Sequence, residues 1–272
     1  MKARVGDGWA IGAAYDAYMG RWSRSLAPAF VEWLDQPPRR HWLDVGCGTG
    51  ALSAAICELG NPGSIVACDP SGPFIDYARE TLPDKRVNFE LATAEHLPSR
   101  EGGFDVVVSG LVLNFISAPE RALRAMRSRL RADGCVAAYV WDYAGGMEFL
   151  RYFWEAALAQ SSLAAEFDER QRFANCSPTE LAASFRAAGL EKVETTALDS
   201  SIKFASFDEY WQPFLGRTGP APSYVASLEP AQREGLKELL RERLGAHESG
   251  IEFRARAWAV RGIGGTGAGG SG

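Results

Sequence analysis

The stretch HWLDVGCGTG, residues 41 to 50, sets an acid, Asp44, in an apolar run and follows it with glycines at alternate positions, Gly46, Gly48 and Gly50. A glycine turn after a first strand lets a ligand approach the backbone closely and offers it the N–H groups of the next helix. Gly46, Gly48 and Ala51 also satisfy the loose fingerprint G-x-G-x-x-G/A, so the glycines alone do not choose between cofactors. Asp44 does choose. A pyrophosphate against this turn would be repelled by the carboxylate, whereas a ligand carrying an ammonium and a sulfonium would be attracted.

S-adenosylmethionine carries both cationic groups. Asp69 ends the next apolar run, SIVACD, where a carboxylate accepts hydrogen bonds from both hydroxyls of a ribose. Enzymes that use NAD place an acid there too, so Asp69 supports nucleoside binding and is neutral between cofactors.

The elements that must hold these residues alternate. His41 to Val45 reads as a strand, and Ala51 to Leu59 as a helix stopped by Gly60. Strand SIVACD, helix Pro73 to Leu82, strand VNFEL (Val87 to Leu91) and the fully buried strand FDVVVSG (Phe104 to Gly110) follow. Pro119 to Leu130 is helical, with Leu123, Met126 and Leu130 on one face; the turn Ala132-Asp133-Gly134 leads into the strand CVAAYVW. Such a succession builds a parallel sheet covered on both faces.

After Trp141 the rhythm breaks. Residues 143 to 176 hold helix formers and aromatics, Ser177 and Glu180 form a capping box around Pro178, and Gly189 ends that helix. VETTALDSSIKF reads as a strand, Ser206 and Glu209 open a short helix that Pro213 interrupts, and Pro230 to Leu244 is a longer helix closed by Gly245. IEFRARAWAV is the last strand. The divisions expected are an N-terminal helical lid (1–40), a core (41–142), the rest of the sheet with helical inserts (143–260) and a flexible glycine-rich tail (261–272).

With 272 residues, 46% of them hydrophobic and 23% charged, the composition is that of an ordinary globular protein. No apolar run is long enough to cross a bilayer, and the N-terminus lacks the apolar core of a secretory signal, so the cytoplasm is the default. Five scattered cysteines and three histidines suggest reduced packing thiols and no metal site. The formal charge of -5 argues against nucleic acid as a partner. The arginines of RSRLRAD (Arg127, Arg129, Arg131) read as the solvated face of a helix.

LDVGCGTG, VACDPS, TAEHLP, FDVVVSGLVL and ERALRAMRSRLRADGCVAAY together closely resemble the class I S-adenosylmethionine-dependent methyltransferases with a UbiE-like, methyltransferase 11 type core. The resemblance covers about residues 10 to 142 and is weaker from 178 to 260. It implies an α/β fold: a Rossmann-like, doubly wound sheet of seven strands, the last antiparallel, with helical cap inserts. It also implies that Asp44, Gly46, Cys47, Gly48 and Gly50 flank the methionine part of the cofactor. Asp69, Pro70 and Ser71 would hold the ribose, Thr93, Ala94 and Glu95 would meet adenine, and Ser109, Gly110 and Leu111 would line the methyl-transfer centre. Two positions depart from the pattern. Thr93 replaces a frequent aspartate, exchanging a charge-assisted bond for a neutral one about half as strong. Asn114 stands where many relatives carry histidine, and it cannot act as a base near neutral pH.

Methyl transfer from a sulfonium is an in-line displacement on an activated reagent, so alignment and exclusion of water matter most and no general base is obligatory. A hydroxyl acceptor would need one, and Asp142 or Glu95 is the candidate. Three aromatic stripes suggest a lid over an apolar pocket: Tyr15, Tyr18, Met19 and Trp22; then Phe149, Tyr152 and Phe153; then Phe207, Tyr210 and Trp211. Asn114 and Trp141 complete the candidate substrate pocket. The leading expectation is methylation of a small, largely apolar metabolite at oxygen, nitrogen or carbon, with S-adenosylhomocysteine as the second product. The alternatives are a non-catalytic protein that binds the cofactor or its demethylated product, and a protein or RNA methyltransferase.

Overall fold

A computed structural model describes residues 21–173, 176–216, 219–245 and 250–265. Tyr15, Tyr18 and Met19 lie outside the described residues, as does the side chain of Trp22. The sheet has seven strands: β1 (His41–Val45), β2 (Ser64–Asp69), β3 (Val87–Leu91), β4 (Phe104–Gly110), β5 (Leu130–Trp141), β6 (Leu190–Phe204) and β7 (Ile251–Gly264). Their spatial order is β3-β2-β1-β4-β5-β7-β6. The first five run parallel, and β7 lies antiparallel beside β5, with Ala138 opposite Val260. This is the α/β, Rossmann-like sheet with an antiparallel last strand.

The chain divides into two compact units. The sheet unit holds the described residues 23–141, 176–198 and 257–265, and the insert unit holds 142–173 and 199–256 within the described segments. In the sheet unit, helices α1 (Arg21–Leu34), α2 (Ala51–Leu59), α3 (Gly72–Thr81), α4 (Pro119–Ser128) and α7 (Pro178–Ala187) cover the strands. Val107, Val136, Ala138 and Leu43 on the strands pack with Leu123 and Met126 of α4 and Phe185 of α7. Apolar side chains on both faces explain why the central strands read as continuous hydrophobic runs.

Helix α1 belongs with the sheet, whereas the sequence suggests a lid over residues 1–40. Leu26, Ala27, Phe30 and Leu34 are buried, Phe30 packs on Tyr139 of β5 at 4.6 Å between ring centroids, and Arg261 of β7 donates to the carbonyls of Trp33 and Leu34. At the opposite edge from the glycine turn, Asp105 is a hub: its carboxylate accepts from the His41 N–H and pairs with Arg40 and Arg131. Burial alone would raise its pKa, but these donors and cations hold it below the usual carboxylate range.

Three local expectations change. The turn at Ala132-Asp133-Gly134 lies inside β5, which starts at Leu130: Phe104 pairs with Leu130 and Val106 with Cys135, so the turn is a bulge in a continuing strand, with Asp133 at φ 59°. Helix α4 accordingly stops at Ser128. At the other end, residues 261–264 are sheet and not tail, because Ile263 pairs with Cys135.

The insert unit has its own aromatic core, built from α5 (Glu148–Gln160), α6 (Glu169–Arg172), α8 (Phe207–Trp211), α9 (Pro220–Ser227), α10 (Pro230–Leu244) and the short 3-10 turns Ser162–Glu166 and Gln212–Leu215. Phe153 stacks on Phe214 at 4.4 Å, and the Tyr210 hydroxyl donates to the Phe149 carbonyl at 3.0 Å. The Ser177–Glu180 capping box forms as read from the sequence, and Pro213 ends α8 in a 3-10 turn.

Phe30→Ala should lower unfolding free energy by about 3–5 kcal/mol, the usual cost of emptying a large aromatic site. Denaturant titration checks this; an unchanged midpoint would mean that α1 is not part of the folded core.

Candidate active site

The carboxyl ends of β1 and β2 meet at the glycine turn. Gly46, Gly48 and Gly50 all adopt left-handed backbone, at φ 74°, 53° and 87°. Side chains rarely tolerate this conformation. At Gly46 a Cβ would also come within 2.7 Å of a Val112 methyl, so the segment after β4 packs directly on the turn. At Gly48 a Cβ would meet nothing within 4 Å, which leaves open space beside the backbone.

The turn is tied to β2 by its backbone. The N–H groups of Gly46 and Cys47 both donate to the Cys68 carbonyl, at 2.8 and 3.0 Å. Asp69 completes the attachment: Oδ2 accepts from the Gly48 N–H at 3.0 Å and Oδ1 from the Ser71 N–H at 2.9 Å. Burial raises the Asp69 pKa, and these two N–H donors oppose the rise. Ser71 in turn caps α3 by accepting from the Phe74 N–H. Sequence reasoning assigned Asp69 only to a ligand; here it also shapes the turn, and its remaining lone pairs are what a ribose can use.

Asp44 is fully buried. Its Oδ2 accepts from the Ser53 hydroxyl at 2.7 Å, while Oδ1 has no hydrogen-bond partner among the described residues. Burial pushes the carboxyl up to about 7; the Asp69 charge adds to the rise and the Ser53 hydroxyl opposes it. The charge expected at the entrance of the turn is therefore only half developed near neutrality. A cation beside it would complete the ionisation. An orphaned acid oxygen, a turn of left-handed glycines and open space at Gly48 together fit a cationic nucleoside ligand. Burial also drives the Cys47 thiol well up and the Cys68 thiol to about 12, so both are protonated packing groups.

The segment after β4 carries the next features. Leu111 is buried and left-handed at φ 61°, a conformation unusual for a branched side chain, and its N–H donates to the Tyr139 carbonyl. Gly110 has no room for a Cβ, which would lie 2.7 Å from the Tyr139 hydroxyl. Among the described residues the Ser109 hydroxyl and both side-chain polar atoms of Asn114 are buried without partners. Buried polar atoms are nearly always hydrogen-bonded, so these await one. Thr93 and Glu95 are exposed on the loop after β3, Ala94 is half-buried, and Pro70 is exposed.

The sequence candidates in the insert unit behave otherwise. Phe149 and Phe153 are fully buried and Trp211 nearly so, their rings packed against Phe214. These three, expected from the sequence to line a pocket, pack into the core of their unit. Asp142 caps its own turn, with Oδ1 accepting from the Gly145 N–H at 3.2 Å and its carbonyl from the Gly146 N–H. Trp141 is buried in β5 opposite Ala257.

Among the described residues no helix is long and apolar enough to cross a membrane, and no three acid, cysteine or histidine side chains cluster as metal ligands. Residues 43–138 match the family described as "Methyltransferase domain". The malonyl-[acyl-carrier protein] O-methyltransferase of Geobacter sulfurreducens is 31% identical over 71% of this chain and 72% of its own length. The enzyme of the same name from Acetivibrio thermocellus is 26% identical over 59% of this chain, which spans only 56% of that relative. Among solved structures, a phosphoethanolamine N-methyltransferase of Haemonchus contortus, in complex with phosphomonomethylethanolamine and S-adenosylhomocysteine, superposes with a TM-score of 0.57. It is 13% identical, with 93% of this chain and 57% of that one covered, and shows the fold. The glycine turn, its two acids and the Geobacter relative converge on one assignment: this chain belongs to the class I methyltransferases, whose cofactor is S-adenosylmethionine.

Proposed function

We propose that the chain transfers the sulfonium methyl of S-adenosylmethionine to a small organic acceptor. The observation that carries this reading is Asp44, a buried acid with a free oxygen beside a turn built for close approach. Asp44, Gly46, Cys47, Gly48 and Gly50 would hold the methionine end. Asp69, Pro70 and Ser71 would hold the ribose, and Thr93, Ala94 and Glu95 the adenine. Ser109, Gly110 and Leu111 would face the reacting methyl. When bound, the cofactor supplies a methyl group already activated toward nucleophiles.

Asn114 bears on the acceptor. Its carboxamide has donors and an acceptor to offer but cannot take up a proton near neutrality, and Asp142 is engaged in its own turn. This favours acceptors that are nucleophilic without a base in the site, a carboxylate oxygen or an amine that binds unprotonated. For a carboxylate, an oxygen lone pair forms the new bond to carbon, the C–S bond electrons stay on sulfur, and no proton moves. Opposite charges vanish in that step, which a water-excluding site favours.

A second reading follows from the relatives that act on malonyl-[acyl-carrier protein]: the acceptor is an acyl carboxylate presented on a carrier protein. Incubation with methyl-labelled cofactor and malonyl thioesters, free and carrier-borne, tests both readings. Label in a methyl ester supports them. Tight cofactor binding with no transfer to these or to a panel of organic acids and amines would leave a non-catalytic binding protein instead.

Two variants probe the site. Asp69→Ala removes the acceptor of two N–H groups as well as the ribose contact, and should weaken S-adenosylhomocysteine binding in calorimetry by about two orders of magnitude or more, two charge-assisted bonds being worth roughly 3 kcal/mol or above.

For Asp44 the sign is set by its raised pKa. Between the unfolded value near 3.8 and the folded value near 7, the folded state keeps a proton that the unfolded state loses. The ligand-free protein should therefore lose stability, on the order of a few kcal/mol, as pH rises through that window. Asp44→Asn should raise Tm at pH 8. Affinity for the cationic cofactor should fall as pH drops below about 7 in the parent and stay flat in the variant; thermal shift and titration at several pH values read both effects.

A further inference from the structure

Of the arginines of RSRLRAD, only Arg127 lies on a helix, α4; Arg129 follows its end and Arg131 pairs with Asp105 from β5. Arg121, Arg124 and Arg127 follow one another at three-residue spacing along α4, and all are exposed. Residues so spaced are neighbours on a helix surface, so the row repels itself. Arg124 has a loose partner in Glu120 at 3.7 Å, while Arg121 and Arg127 form no ion pair among the described residues. The row continues across to α7, which packs on α4. A Cβ on Gly189, just past the end of α7, would meet the Arg127 guanidinium at 2.7 Å, and Arg186 stands exposed and likewise unpaired in the last turn of α7.

Helix dipoles explain only part of this. Cations in a last turn are favourable, which suits Arg127 and Arg186. Arg121 lies in the first turn, where a cation is disfavoured. The chain as a whole carries a net charge of -5, so a row of four cations on one face runs against the average.

We propose that this row on α4 and α7 docks an acidic protein that presents the acceptor to the enzyme. The inference rests on the carrier-borne reading given above for the choice of partner. A helix bearing acids at three- and four-residue spacing matches the row in period and sign. Helix α4, ten residues long, spans about 15 Å, the length of a short partner helix and only a few phosphates of a nucleic-acid backbone. The row also starts in the right place. Arg121 sits at the end of α4 that follows β4 and the Leu111–Asn114 segment, at the carboxyl edge of the sheet where the cofactor turn lies.

The test uses the full chain and the triple variant Arg121→Glu, Arg127→Glu, Arg186→Glu, with fluorescently labelled acyl carrier protein as the probe. At low salt the parent should bind the carrier, salt should weaken the complex steeply, and the variant should bind at least tenfold more weakly with unchanged Tm and cofactor affinity. Equal binding by parent and variant, or no binding by the parent at low salt, overturns the proposal. So does tighter, arginine-dependent binding of tRNA, which would make the row a nucleic-acid surface. Methyl transfer separates the two readings. Loss of kcat/KM for malonyl-carrier protein but not for malonyl-pantetheine supports docking. If neither is methylated while carrier binding still requires the arginines, the malonyl reading falls and the docking surface stands.

Discussion

The whole site depends on how one short turn is held. Between Val45 and Ala51 the backbone must leave a strand, reverse, and enter a helix, and the N–H groups of Gly46, Cys47, Gly48 and Gly50 are all spent on holding that path. Left-handed glycines make the path possible, and Asp69 fixes it by accepting from Gly48 and Ser71 across the gap between two strand ends. One carboxylate thus couples the first two crossovers of the sheet. The price is that Asp69 is buried near a second acid, Asp44, in a place where neither is comfortable as an anion.

That discomfort is a form of preorganisation. A site that already holds an acid with an orphaned oxygen needs only to lose a proton when a cation arrives, and the interaction it then makes is stronger for being out of water. The segment after β4 follows the same logic. Leu111 is held in an unfavourable backbone conformation, and the side-chain polar atoms of Ser109, near the end of β4, and of Asn114, just after it, are buried without partners among the described residues. Local violations of folding rules are thus gathered at one sheet edge, beside the glycine turn, which is where the proposed function puts the ligand.

Much of this was legible in the residues. Continuous apolar runs ending in Asp44, Asp69 and Gly110 announced buried parallel strands with their chemistry at the carboxyl ends, and the Ser177–Glu180 box announced a helix start. Other features were not legible, for identifiable reasons. Helix α1 buries Leu26, Phe30 and Leu34 at four-residue spacing, but Pro28 lies in the middle of that pattern and hid it. The bulge in β5 carries Asp133 and Gly134, residues that normally close a turn between elements. Aromatic periodicity gave the faces of the insert helices without saying whether each face met protein or ligand, and for Phe149, Phe153 and Trp211 it met protein. The two ties that Asp69 makes to Gly48 and Ser71 are contacts of the fold, invisible until β1 and β2 are side by side.

The placement of β7 has a consequence for biogenesis. Strand β5 is completed at Trp141, yet the neighbour that covers its outer edge is residues 257–263, more than a hundred positions later. At ribosomal speeds that interval is on the order of ten seconds. Throughout it the nascent chain presents an apolar strand with unsatisfied backbone groups, the kind of edge that recruits other strands. Newly made molecules of this protein should therefore be far more dependent on chaperone shielding than the finished sheet, which keeps that edge covered.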